Sequence, residues 1–226
     1  MIVAVCGGKG GVGKSTLAYE LAGALDALAV DADLAVGDLP RGRGPDLHDV
    51  LAGRAAPREA VRGGPVSVLA CGRSLAGARA ADLGRLEDAV RRAAGDRDAV
   101  VDCPTGLRAD TGVPLALADV CLLVASPRRW ALADAVRTRA VARDLAAELV
   151  AVALARVGED PPTAVVRATL AAPVTPVPET PALATTLDGE SSRPVTERAP
   201  ETDAAAAVRE LATSLRACRP YYDGVE

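Results

Sequence analysis

Short aliphatic runs alternate with helical patterns along this chain. Ile2–Val5 is an apolar run of strand length that leads directly into glycines. Ser15–Leu25 follows, with Leu17, Leu21 and Leu25 at the spacing of one helix face. Leu28–Val30 reads as a second strand ending at Asp31, and Asp46 as the cap of a short helix over Leu47–Leu51. Val66–Leu69 predicts a strand. Asp82–Ala94 predicts a helix that turns Leu83, Leu86 and Val90 to one side. Ala99–Val101 is a strand ending at Asp102, Val120–Ala125 another, and Ala131–Leu145 a helix. Leu149–Leu154 and Val174–Val177 complete the strands, the proline-rich patch 173–181 framing an edge strand and its turn. Glu201–Leu215 predicts a closing helix with Val208, Leu211 and Leu215 inward.

Strands separated by helices mean βαβ units. The expected fold is therefore α/β, a doubly wound, mostly parallel sheet with helices on both faces. No internal repeat is visible, and the simplest parse is one domain over residues 1–217 with a short tail, 218–226.

Composition narrows this picture. The 226 residues suffice for one sizeable core, and with no Phe, one Trp and three Tyr that core must be aliphatic. A net charge of −4 argues against a polyanion as the main partner. Cys6, Cys71, Cys103, Cys121 and Cys218 are scattered without a C-x-x-C pair, which reads as buried free thiols in a reducing compartment. The single histidine, His48, excludes a His-rich metal centre. No signal peptide is visible, and the longest apolar stretch, 113–125, is too short to span a bilayer. The expectation is a cytoplasmic protein.

Positive charge comes almost entirely from arginine. Lysine occurs only at Lys9 and Lys14, both inside Gly8-Lys-Gly-Gly-Val-Gly-Lys-Ser-Thr16. Gly8-x4-Gly13-Lys14-Ser15 is the P-loop pattern, set between a predicted strand and a predicted helix. Gly8, Gly10, Gly11, Val12 and Gly13 would turn backbone N–H groups toward phosphate oxygens, and the helix start at Ser15 and Thr16 would add its positive dipole end. Lys14 would reach the β- and γ-phosphates and Ser15 would ligate Mg²⁺. Three acids, Asp31, Asp33 and Asp102, end strands where ligands of such sheets bind. A carboxylate there can orient a water near a γ-phosphate.

The loop with lysine at its second position resembles the deviant Walker A of the MinD/ParA ATPases. That resemblance implies that Lys9 crosses a dimer interface to the partner's nucleotide. It makes Val30-Asp-Ala-Asp-Leu34 switch I, with Asp33 holding the attacking water and Asp31 deeper, near Mg²⁺ or the loop. Val100-Val-Asp-Cys-Pro-Thr-Gly106 resembles switch II, in which Asp102 binds Mg²⁺ through water; Thr105 replaces the usual alanine. Asp38 replaces a common asparagine of switch I. Arg156 falls beside the base, where Ala155 removes an amide that could read it, and Pro178-Glu179 falls at the turn that covers the adenine.

The resemblance spans residues 1–215 and implies a Mg-ATP-dependent homodimer with slow hydrolysis that positions or recruits a partner protein. The alternatives are a non-hydrolysing nucleotide-gated adaptor and an ATPase that loads metals or clusters. The tail lacks the Lys/Arg face that autonomous membrane binding needs. Arg128, Arg129, Arg137, Arg139 and Arg143 cluster on or beside one helix with Asp134 and Asp144 among them, which reads first as a solvated face and second as a site for DNA or an acidic partner.

Overall fold

A computed structural model describes residues 1–8, 10–72, 74–106, 109–188 and 193–222. Eight strands form one sheet: β1 (Ile2–Cys6), β2 (Leu28–Asp31), β3 (Val61–Arg62), β4 (Ser67–Leu69), β5 (Ala99–Asp102), β6 (Val120–Ala125), β7 (Glu148–Val157) and β8 (Val174–Pro178). Their order is β3-β4-β2-β5-β1-β6-β7-β8, parallel except for the short β3 at one edge. The helices are α1 (Lys14–Leu25), α2 (Leu47–Leu51), α3 (Leu75–Ala80), α4 (Leu86–Ala94), α5 (Ala109–Ala116), α6 (Arg129–Asp144), α7 (Thr163–Leu170), α8 (Pro181–Ala184), α9 (Val195–Arg198) and α10 (Asp203–Tyr222).

The pleat sorts each central strand between two cores. Ile2, Ala4 and Cys6 of β1 join a cluster with Leu86 and Val90 of α4, Leu115 of α5, Ala135 of α6 and Leu170 of α7. Val3 and Val5 join the opposite cluster with Leu17 and Leu21 of α1 and Val208, Leu211 and Leu215 of α10. Leu, Val and Ala fill both layers, each buried Leu stabilising the fold by roughly 1.5–3 kcal/mol. The aliphatic core and the inward faces of α1 and α10 follow the sequence pattern.

Several boundaries differ from the pattern for local reasons. The segment before α4 opens as a single 3-10 turn over Leu83–Arg85, because the Asp82 carboxylate caps Gly84 N–H at 3.0 Å. α10 runs to Tyr222 rather than stopping at Leu215, so helix replaces most of the expected tail. α5 tolerates Pro114 inside it, which disguised a helix as a featureless apolar stretch. α2 starts where Asp46 predicted, in a reciprocal cap: Asp49 N–H donates to Asp46 Oδ1 at 3.2 Å and Asp46 N–H to Asp49 Oδ2 at 3.3 Å. All five thiols are free, and Cys6, Cys71, Cys103 and Cys121 are buried. Among the described residues no helix is long and apolar enough to cross a membrane.

Candidate nucleotide site

β1 lies between β5 and β6, so the chain leaves its carboxyl end at the point where the sheet's winding reverses. Gly8 and Gly10 to Gly13 make the turn into α1, whose first residue is Lys14. Gly11 (φ 78°) and Gly13 (φ 100°) occupy the left-handed region that favours glycine, and a Cβ on either would point into open space. The turn is thus an open cradle capped by a helix N-terminus with no side-chain cap of its own. Val12 is buried and anchors the loop, while Ser15 and Thr16 are half-buried at its rim. Lys9 lies outside the described residues.

Lys14 is only 6% exposed, and its aliphatic stem runs across Gly7. Across from it stands Asp102, 1% exposed, whose Oδ1 has no hydrogen-bond partner among the described residues. Burial pushes the Asp102 carboxyl up to about 6, with Asp33 and Asp38 adding repulsion, while the Lys14 ammonium and the Ser15 hydroxyl pull it down. The Ser15 hydroxyl donates to Asp38 Oδ2 at 3.4 Å, so its single proton stands between two carboxylates. Lys14, Ser15, Asp33, Asp38 and Asp102 therefore converge on one end of the sheet. A divalent cation fits this set: it would complete the orphaned Asp102 oxygen and offset the crowding of like charges.

Asp31 sits beside Asp102 in register on the adjacent strand and is fully buried. Its carboxylate organises backbone: Oδ1 accepts from Asp33 N–H at 3.3 Å and Oδ2 from Leu39 N–H at 3.2 Å. Burial first, and then Asp102, raise it to about 7, against those two N–H groups and Arg41. Asp33 is half-buried, and its Oδ1 accepts from Ala35 and Val36 N–H at 3.3 and 3.1 Å, a local turn that fixes the loop after β2. Sequence reasoning missed the support behind this loop. Buried His48 places Nε2 3.0 Å from the Leu34 carbonyl, a contact that no local pattern announces.

A second part of the site lies on the other side of the P-loop. A cleft of about 80 Å³ is lined by Val12, Gly13, Thr16, Leu17 and, from β7, β8 and α8, by Ala155, Arg156, Val177, Pro178, Glu179, Thr180, Leu183 and Ala184. Arg156, Pro178 and Glu179 are thus brought to one cleft contiguous with the loop. Arg156 sits at a register shift against β8 with φ 59°, which turns it to the exposed side at the cleft's edge. Thr180, Leu183 and Ala184 were not foreseen. Their signal was the Thr-Pro start of α8, where Thr180 Oγ1 accepts from Leu183 N–H at 3.3 Å. A slot with apolar walls beside a phosphate cradle suits a planar base.

In the arginine-rich run, Arg128, Arg129, Arg137 and Arg143 are exposed. Arg137 pairs with Asp134 at 3.2 Å, Arg143 lies 3.6 Å from Asp144, and Arg128 stacks 5.8 Å from the Trp130 ring centroid.

Residues 3–188 match the CobQ/CobB/MinD/ParA nucleotide binding domain. An uncharacterized ATP-binding protein of Methanocaldococcus jannaschii is 37% identical over 173 residues, covering 71% of this chain and 66%, just under two thirds, of that protein. The cell division ATPase MinD of Pyrococcus furiosus superposes with a TM-score of 0.86 at 26% identity, over 95% of this chain and 98% of that one. The septum site-determining protein MinD of Pyrococcus horikoshii, complexed with Mg-ADP, gives 0.85 at 26% identity, over 95% of each chain.

Proposed function

The chain belongs to the CobQ/CobB/MinD/ParA nucleotide-binding family, and from that premise we propose that it is a Mg-ATP-dependent homodimerising switch that hydrolyses ATP slowly and positions or recruits a partner protein. The observation that carries the reading is that Lys14 and Asp102 are both buried beside an open glycine cradle, Asp102 feeling the Lys14 charge and keeping one oxygen without a partner among the described residues. Its likeness to the Pyrococcus MinD proteins, one a cell division ATPase and one complexed with Mg-ADP, supports a division or positioning role.

In this reading Gly8 and Gly10 to Gly13 cradle the phosphates and Lys14 neutralises them. Ser15 and Asp102 hold Mg²⁺, with Asp31 behind them. When bound, the cation supplies charge neutralisation at the phosphates. Asp33 orients the attacking water, and Asp31 fixes the loop that carries Asp33 through the Leu39 and Asp33 N–H groups. Arg156, Pro178 and Glu179 border the base. Lys9 reaches the nucleotide of a second copy.

The test separates these roles. A Lys9→Ala protein should bind Mg-ATP within about threefold of the parent yet stay monomeric in light scattering. Asp33→Ala should dimerise with Mg-ATP and release phosphate about 100-fold more slowly. ATP-dependent dimers formed by Lys9→Ala as readily as by the parent would refute the two-copy arrangement.

A further inference from the structure

Beyond the carboxyl ends of β2 and β4 lies a cavity of about 360 Å³ that shares no lining residue with the cleft beside the P-loop. Its wall carries Arg41, Arg43 and Arg62, together with Asp46 and Cys71. Arg41 is half-buried. One of its amino groups donates to the Gly37 carbonyl, while its Nε is buried with no hydrogen-bond partner among the described residues. Arg62 is held by backbone: its amino groups donate to the Glu59 and Pro45 carbonyls, both at 3.0 Å. The loop over residues 41–45 wraps round it, and Gly44 (φ 101°) lies so close that a Cβ there would collide with the guanidinium. Arg43 is exposed on the rim.

None of the three is in an ion pair among the described residues. Asp46 is the one acid in the wall, and its Oδ1 is committed to the α2 cap. Asp31 feels the charge of Arg41 but forms no ion pair with it. Three arginines therefore line one concave space in a chain whose net charge is −4. Like charges gathered round a cavity repel one another, and an anion held among them offsets that repulsion. Guanidinium forks match phosphate oxygens two at a time, and the volume is that of a small-molecule site.

We propose that this cavity is a second anion site, separate from the P-loop, that takes a small phosphate-bearing ligand of at least two negative charges. Arg41 and Arg43 supply the contacts, and Arg62 with its glycine wrap forms the fixed floor. The inference does not depend on ATP hydrolysis or dimerisation.

Calorimetry in two backgrounds tests it. In the first, a Lys14→Ala protein without magnesium, crippled at the P-loop, is titrated with inorganic pyrophosphate. In the second, the parent saturated with Mg-ADP is titrated with inorganic phosphate, which keeps the test valid if Lys14→Ala does not fold. One binding event is expected in each background. Arg41→Gln and Arg43→Gln should each weaken it by about tenfold, a loss of one charge-assisted contact. Citrate, equally charged but carboxylic, should bind at least about tenfold more weakly than pyrophosphate. No isotherm in either background, or binding that survives both arginine substitutions, would overturn the site. Citrate binding more tightly than pyrophosphate would overturn its phosphate chemistry.

Discussion

Two regions of this molecule bury carboxylates, and they treat them in opposite ways. On the face of the sheet covered by α1, Glu20 is fully buried and fully answered. Its Oε1 accepts from the Thr186 hydroxyl at 2.6 Å, its Oε2 from Val195 N–H at 2.7 Å, and Arg198 lies 3.8 Å away. At the carboxyl ends of β2 and β5, Asp31 and Asp102 stand side by side in register, and Asp102 keeps an oxygen with no partner among the described residues. Burial raises all three above the ordinary carboxylate range, but only the strand-end pair is raised further by its neighbours' negative charge. The satisfied acid ties α1 to α9 and the segment after α8. Asp102, unlike Glu20 and Asp31, keeps an oxygen open to positive charge from outside the chain. Burial alone does not mark a functional acid; burial with a missing partner does.

The largest effect should come from the strand-end region. The Lys14 ammonium is the positive charge that pulls the Asp102 carboxyl down. Lys14→Ala should weaken ATP binding at least about 1,000-fold, measured with a fluorescent nucleotide, because it removes both a phosphate contact and the local counter-charge. A loss below about tenfold would break the comparison, since the region would then not be built around an anion–cation exchange. Next in size is the opposite region. Glu20→Ala strands the Val195 N–H in the interior and takes the facing carboxylate from Arg198 and Thr186, whose hydroxyl keeps Ala182 and Arg198, at a cost of about 3 kcal/mol. That should appear as a fall in melting temperature of roughly 6–12 °C. Mg-ATP affinity of the folded protein should stay within about threefold. A Glu20→Ala protein of normal stability and poor affinity would reverse the assignment of the two regions.

Much of this was legible in the chain, for reasons that differ by element. Strands such as Val120–Ala125 announce themselves because both faces are buried and the run is wholly apolar. The P-loop is legible because its geometry is imposed on backbone, so glycine must sit at φ 78° and 100° whatever surrounds it. The base-side cleft was only half legible. Arg156, Pro178 and Glu179 were expected there, but Leu183 and Ala184 arrive from α8, a four-residue helix too short to carry a period. α7 likewise passed unread, since Pro161 and Pro162 precede it and only Val166 and Leu170 face inward. The chemistry of Asp31 was readable only as an acid at a strand end. That it holds the N–H groups of Asp33 and Leu39 depends on how the loop folds back, which spacing does not encode.

The smallest effect is the most diagnostic, because it reads the charge state of the strand-end pair directly. In the ligand-free protein Asp31 titrates at about 7 and Asp102 at about 6, whereas both ionise near 3.8 when unfolded. Between those limits the folded chain holds protons that the unfolded chain has released, so lowering the pH favours the fold. Their stabilising contribution is complete below about 3.8 and is lost as pH rises through about 6 and then about 7. Glu20 is shifted the same way by burial and adds to the trend. Asp102→Asn should therefore flatten the pH dependence, raising the ligand-free melting temperature by about 3–6 °C more at pH 8 than at pH 5 and leaving it nearly unchanged only below about pH 3.8. Mg-ADP should act in the opposite sense. A bound cation favours the charged carboxylates, so its stabilising shift should be larger at pH 8 than at pH 5, and Asp102→Asn should reduce that difference. Thermal melts at four pH values, with and without Mg-ADP, measure both slopes. If the Asp102→Asn protein kept the parent's slopes, Asp102 would be as well satisfied as Glu20, and the distinction between the two regions would collapse.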